Sequence, residues 1–293
     1  MLTAENNHSR RALIWLLLPV GITLVFYGLA LFDLFRFSVA PLEGEGAAPA
    51  SWITLQHYAK ALSDRIYLGS ITTTFRIAAY VTVFAVVLGY LISFKIVKTR
   101  SNAIRTFLVL CVAIPFMTNI VVRMYAMSLV MSNTGLLNAL LHATGMLADD
   151  RVFPMVRNER GVITGLVAFV LPFVTFVMTA AFKRTDETLE EAAHSLGARP
   201  FFTFMRVTLP LSMPGVIGGA ALSFILSVSA FVTPLVLGQG NVRMIANTVY
   251  DLVLFSENKP LGAALSVIAL VLTIAVLYLQ QLLTRSAPRA ARS

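Results

Sequence analysis

The chain has 293 residues, 57% hydrophobic and 13% charged, with a formal net charge of +9 and a mean hydropathy of +0.79. Soluble globular chains average about 45–50% apolar and 25% charged residues, so this composition excludes a soluble domain and describes an integral membrane protein. The basic residues lie between apolar runs rather than on one patch, which excludes a nucleic-acid-binding surface. The lone cysteine, Cys111, excludes an intrachain disulfide and any Cys-cluster metal site, and its apolar surroundings predict a buried packing thiol.

The first apolar span runs from about Ala12 to Phe37, behind Arg10 and Arg11. It is longer than a signal-peptide core, and its only small-x-small site, Ser38-Val39-Ala40, is followed by Pro41, so an uncleaved helix is expected. A polar segment with Glu43, Glu45 and Trp52 continues to about Tyr67. Further apolar spans cover roughly 68–94, 106–131, 161–182, 213–237 and 262–283. Each is long enough to cross about 30 Å of hydrocarbon at 1.5 Å per residue. Six transmembrane helices place both termini on one side. That side carries 13 Lys and Arg residues against 7 on the other. An excess of basic residues marks the cytoplasm, so cytoplasmic termini are predicted. The chain divides into residues 1–67 (first helix plus an extracytoplasmic segment), a core over 68–284 and a tail over 285–293. A second outer segment, about 132–160, has Gly135 and Gly145 around a short Leu-rich helix, Leu136 to His142.

Within the third span lies Arg123. A guanidinium at that depth has to face the bundle interior, a partner subunit or water. Pro115 and Pro172 are expected to kink their spans. Gly215, Gly218, Gly219 and Ala220 form a small-residue face for close helix contact. Phe231-Val232-Thr233-Pro234-Leu235 is expected to break the fifth span near its outer end. Arg36, Arg76 and Asp33 lie near span ends, where side chains reach water. Arg123, Asp33 and Asp251 are the candidate pathway or interface residues. No Walker-type Gly-x-x-x-x-Gly-Lys-Ser/Thr run, metal-ligand spacing of histidines or Gly-x-Ser-x-Gly elbow is present. The chain reads as non-catalytic.

The most patterned polar segment is the fourth loop, on the same side as the termini. Leu189, Ala192, Ala193 and Leu196 fall at i, i+3, i+4 and i+7 of a helix, and Glu187, Glu190, Glu191 and His194 take its other side. Thr185 or Asp186 can cap its start. Gly197 permits a chain reversal and Pro200 opens a second short helix. Helix, turn and helix make a docking element.

The spacing Glu191-Ala192-Ala193, Gly197, Val207, Leu209-Pro210 resembles the EAA loop of permease subunits of binding-protein-dependent ABC importers. Val207 stands where Ile is commoner. The Pro115 to Ala126 run, Phe231 to Gly238 and Asn258 to Ala264 are similar to spermidine/putrescine-type permeases, first-permease-like. Leu91, Met127, Gln239 and Lys259 depart from that pattern.

The resemblance covers about residues 68–284. It implies an all-α, six-helix fold of the MetI-like kind in the bacterial inner membrane. It also implies that the EAA residues dock an ATPase. The partners it implies are a second permease, an ATPase dimer that uses ATP and Mg, and a periplasmic or lipid-tethered solute-binding protein; this chain itself binds no cofactor. A polyamine is the first-choice solute. Amino-acid-like solutes, opines, 2-aminoethylphosphonate and ferric iron stay open, as does, more remotely, a secondary transporter.

Overall fold

A computed structural model describes residues 2–41, 53–148, 151–183 and 187–285, with side chains at 19–41, 53–148, 151–183, 188–189, 192–193 and 195–282. The described residues are helix, turn and loop, without a strand. Five helical stretches are long and apolar enough to cross a membrane: Pro19–Ser38, Arg65–Lys98, Glu159–Phe182, Pro200–Val228 and Lys259–Leu282. The sixth expected span is two helices bent by 106°, Asn102–Met117 and Ile120–Val130.

The chain forms two compact units. The smaller combines residues 1–64 with 249–268. This unit holds helices α1 (Leu2–Ser38) and α2 (Gln56–Ser63). Polar contacts tie α2 back to the end of α1: the Tyr58 hydroxyl donates to Ser38 Oγ at 2.8 Å, and His57 Nε2 lies 3.0 Å from the Ala40 carbonyl. The stretch before Tyr67 is therefore partly helical, and the next span opens at Arg65.

The larger unit, residues 65–248 and 269–293, is built on α3 (Arg65–Lys98), α7 (Glu159–Phe182) and α10 (Leu209–Val228). Ile77, Val81 and Ala85 recur every four residues on α3, and Val162, Leu166, Val170, Val174 and Met178 do so on α7. That spacing gives each helix one buried ridge. Membrane helices gain little from hydrophobic exclusion, so close packing and interhelical hydrogen bonds hold them. Both occur here. Ser93 Oγ on α3 donates to the Thr175 carbonyl on α7 at 2.9 Å. A Cβ on Gly215 of α10 would stand 2.3 Å from the Cβ of Ala181, and one on Gly219 would stand 3.0 Å from Met178 Cε. The small-residue face is thus a helix contact, as expected.

Several expectations need correction. The third span breaks after Pro115, not at it. Helix α4 (Asn102–Met117) ends at Thr118, whose backbone is extended, and Asn119 caps α5 (Ile120–Val130) by accepting from Val121 N at 2.8 Å. A cap residue placed mid-span starts a new helix in a new direction. Helix α7 continues through Pro172, which removes one backbone hydrogen bond without ending the helix. Cys111 is exposed rather than buried, because α4 turns only its Val112 side fully inward. Arg76 lies well inside α3 and forms an ion pair with Glu159 at the start of α7, rather than simply reaching water. The expected break in the fifth span is present, but the span stops at Val228 rather than reaching 237, and Pro234–Gly238 forms a separate wide helical segment. The Leu-rich outer helix is present as α6 (Leu136–Ala143).

One tertiary bond has no counterpart in the sequence reading. Thr74 Oγ1, fully buried on α3, accepts from the first backbone N–H of α11 (Ile245–Leu254) at 2.8 Å. It caps that helix from a distant part of the chain.

Candidate functional site

The helix, turn and helix expected in the fourth loop are present. Helix α8 (Glu187–Ser195) carries Glu191, Ala192 and Ala193. The side chains of Glu187, Glu190, Glu191 and His194 lie outside the described residues, as do Thr185 and Asp186. Gly197 has φ +80°, and the Ala198 N–H donates back to the Ala193 carbonyl at 3.0 Å. This is a left-handed helix cap with its six-to-one bond, closed at Ala193 and opened by Gly197. The four-residue interval between Ala193 and Gly197 is what that motif requires.

Pro200 then stands at the first position of α9 (Pro200–Thr203). A π-helical turn, Phe204–Thr208, joins α9 to α10, with the Leu209 N–H donating to the Phe204 carbonyl five residues back. Pro210 has no N–H for the carbonyl four residues earlier, and a wide turn next to proline is an ordinary consequence. Val207 and Leu209 are half-buried, and Pro210 is exposed. The chain from Pro200 to Val228 is therefore one apolar helical stretch with a wide turn near its start.

The hairpin of α8 and α9 leaves apolar surface uncovered: Leu196 is 89% exposed and Leu189 47%. A groove of about 520 Å³ runs between the two helices, lined by Ala193, Leu196, Gly197, Phe202, Arg206 and Val207 among others. The Arg206 guanidinium lies 5.5 Å from the Phe202 ring centroid at its edge.

The rear of the hairpin is anchored in the core. The ring of Phe204 meets Tyr90 at 6.0 Å and Phe94 at 5.8 Å, both edge-on, and Phe182 meets Tyr90 at 5.1 Å. Edge-to-face pairs favour one mutual orientation. The Tyr90 hydroxyl also lies 3.2 Å from Ser212 Oγ on α10. Sequence reasoning missed this cluster, because phenylalanines in membrane spans carry no distinguishing pattern.

Of the candidate pathway residues, Arg123 is half-buried on α5. Its guanidinium donates to the Pro115 carbonyl and lies 5.6 Å from the Phe169 ring centroid. Arg123 thus satisfies a carbonyl at the C-terminal end of α4, beside the bend, where a cation suits the helix dipole. Asp33 is exposed on α1, and Asp251 is half-buried on α11. The departure at position 239 also has a geometry: Gln239 sits at φ +45° directly before Gly240 at φ +82°. No group of three or more His, Cys, Asp or Glu side chains that could hold a metal occurs among the described residues.

Residues 85–287 match the family model for binding-protein-dependent transport system inner membrane components. The chain belongs to that family. It is a multi-pass, non-catalytic permease subunit of an ABC importer. It is 32% identical to the spermidine/putrescine transport system permease protein PotB of Haemophilus influenzae over 73% of this chain and 74% of that one. It is 30% identical to PotB of Escherichia coli K12 over 73% of this chain and 76% of that one. Among solved structures, a bacterial ABC transporter involved in the import of the acidic polysaccharide alginate superposes with a TM-score of 0.79. The superposition covers 99% of this permease and 100% of that chain at 19% identity. That likeness speaks for the fold alone.

Proposed function

We propose that this permease forms half of the pathway of an ATP-driven polyamine importer and docks a separate ATPase through the α8–α9 hairpin. The observation that carries the docking is Leu196, an 89% exposed leucine beside the rigid Gly197 turn. Exposed apolar side chains on a fixed scaffold are the usual anchor of a protein contact. Since Pro200 to Val228 is one helical stretch, a displacement of the hairpin is carried along α10. The Phe204 ring carries it sideways to α3 and α7. In this reading a second permease completes the pathway, an ATPase dimer supplies the stroke, and a solute-binding protein delivers cargo on the opposite face. Transport then needs two states that each ligand contacts differently.

Support for a polyamine comes from the PotB relatives and from the acidic residues Asp33 and Asp251, which suit a cationic solute. The cognate solute-binding protein is the place to test it, by calorimetric titration with putrescine, spermidine, γ-aminobutyrate, 2-aminoethylphosphonate and ferric ion. Micromolar or tighter polyamine binding is expected. Tight binding of an anion or zwitterion with no heat from polyamines would remove the polyamine from the proposal.

The reading also places both termini and the hairpin in the cytoplasm, on the 13-to-7 distribution of basic residues. With Cys111 replaced by serine, cysteines at Ser195 and Ser286 are expected to react with an impermeant thiol reagent only after the inner face is opened. Cysteines at Ala48 and Ser256 should react from outside. Labelling of position 195 in sealed, correctly oriented vesicles would reverse the orientation.

A further inference from the structure

On the membrane face that carries the α8–α9 hairpin, α3, α4 and α7 enclose a cleft of about 400 Å³ that the docking function does not use. Its walls are apolar, with Val97 from α3, Val109 from α4, and Phe176 and Phe182 from α7. Its charged groups are Arg105 and Lys183. Lys183 follows the last residue of α7, where the apolar span ends. Arg105 lies in the first turn of α4, whose Ser101 cap accepts from Ile104 N at 3.5 Å. Its guanidinium is held by a bond to the Thr99 carbonyl at 2.9 Å.

On the Arg105 side the neighbouring sequence is purely basic, whereas Lys183 is followed by Arg184, Asp186 and Glu187. There is no acidic residue between Asp64 and Asp149, the last turn of α3 adds Lys95 and Lys98, and the loop before α4 adds Arg100. In the wall of the cleft, Thr179 Oγ1 is buried without a hydrogen-bond partner among the described residues. A buried hydroxyl normally has one. Phe176, 41% exposed, leaves the cleft open at its side.

We propose that this cleft binds an anionic phospholipid, with its phosphate between Arg105 and Lys183 and an acyl chain along Val109 and Phe176. Basic pockets between transmembrane helices suit such head groups. A soluble phosphate would gain from the cations but nothing from the apolar walls. Turned outward about its χ1, Thr179 would supply a donor for an ester or phosphate oxygen. The α4 helix start adds its positive dipole end. The proposal depends on the membrane placement of the family, and neither on the solute nor on which face is cytoplasmic.

The test uses the full-length permease with its copurifying subunits, reconstituted in nanodiscs containing equal phosphatidylglycerol and phosphatidylethanolamine. Lipid retained through stepwise detergent washing is counted by native mass spectrometry. Wild type is expected to retain phosphatidylglycerol in preference to phosphatidylethanolamine. The double variant Arg105→Gln with Lys183→Gln should lower that retention on the order of twentyfold, about fivefold for each cation. The charge-keeping pair Arg105→Lys with Lys183→Arg should stay within about twofold of wild type. Val109→Trp, which fills the cleft without changing charge, should also lose the lipid.

Equal retention of the two lipids by wild type would overturn the proposal. So would wild-type retention in either the neutral double variant or Val109→Trp. Displacement of the lipid by millimolar inorganic phosphate would reduce the site to a phosphate site and overturn it. Retention that appears only once the partner subunits are stripped would mean that a protein covers the cleft, and that also overturns it. If the double variant does not assemble, wild-type lipid preference and Val109→Trp still decide.

Discussion

Gly197→Val is expected to cut transport at least tenfold while leaving membrane insertion intact. A Cβ at this position meets nothing within 4 Å, so space is not the constraint. The constraint is the backbone at φ +80°. A β-branched residue there costs about 1–2 kcal/mol, and the turn relieves that strain by redirecting α8 away from α9. Asparagine tolerates the left-handed region, so Gly197→Asn should keep transport within about twofold. Gly197→Asp has nearly the same shape but brings charge beside the exposed Leu196, and should fall with valine rather than asparagine. Glu191→Lys should weaken ATPase association without changing the turn. Solute uptake in proteoliposomes, with ATPase pull-down in parallel, reads all four. Normal uptake by both the valine and the aspartate variants would remove the hairpin from the coupling mechanism.

Gly215→Leu is expected to separate α10 from α7 and lower the thermal stability of the purified permease severely. Even alanine at this position would put its Cβ 2.3 Å from that of Ala181, well inside van der Waals contact. The two helix backbones must part. Overpacking of this kind destabilises by about 1–3 kcal/mol, occasionally more, and here it also disturbs the helix that leads out of the α8–α9 hairpin. Gly218 is the internal control, since a Cβ there would stand 3.6 Å from Val177, an ordinary contact. Gly218→Ala should therefore melt as wild type does and Gly215→Ala should not. Melting curves in detergent decide the matter, and identical curves for the two alanine variants would refute the close α7–α10 contact.

Arg123 shows how a residue can be noticed in sequence and placed only by structure. Its position in an apolar run requires a partner, and sequence alone leaves interior, subunit interface and water equally open. The partner turns out to be the Pro115 carbonyl beside the bend, with the Phe169 ring as a second contact. The Arg76–Glu159 pair joins residues 83 apart in the chain, and no local pattern announces it. Cys111 fails for the complementary reason. Apolar neighbours show that a segment avoids water, but lipid and protein interior look alike to a hydropathy pattern.

The sequence by itself determined the membrane class, the approximate position of the apolar spans, and the helix, turn and helix of the fourth loop. Composition, span length and short-range spacing carry that information, because a helix must be apolar along its length to cross lipid. A left-handed cap must place its glycine four residues after the carbonyl it leaves behind, as Gly197 follows Ala193. The tertiary structure alone decided where the third span breaks, which face of each helix is buried, and what anchors the hairpin. Those outcomes depend on residues distant in the chain. Thr74 capping α11 and Phe204 meeting Tyr90 and Phe94 exist only once the helices have packed.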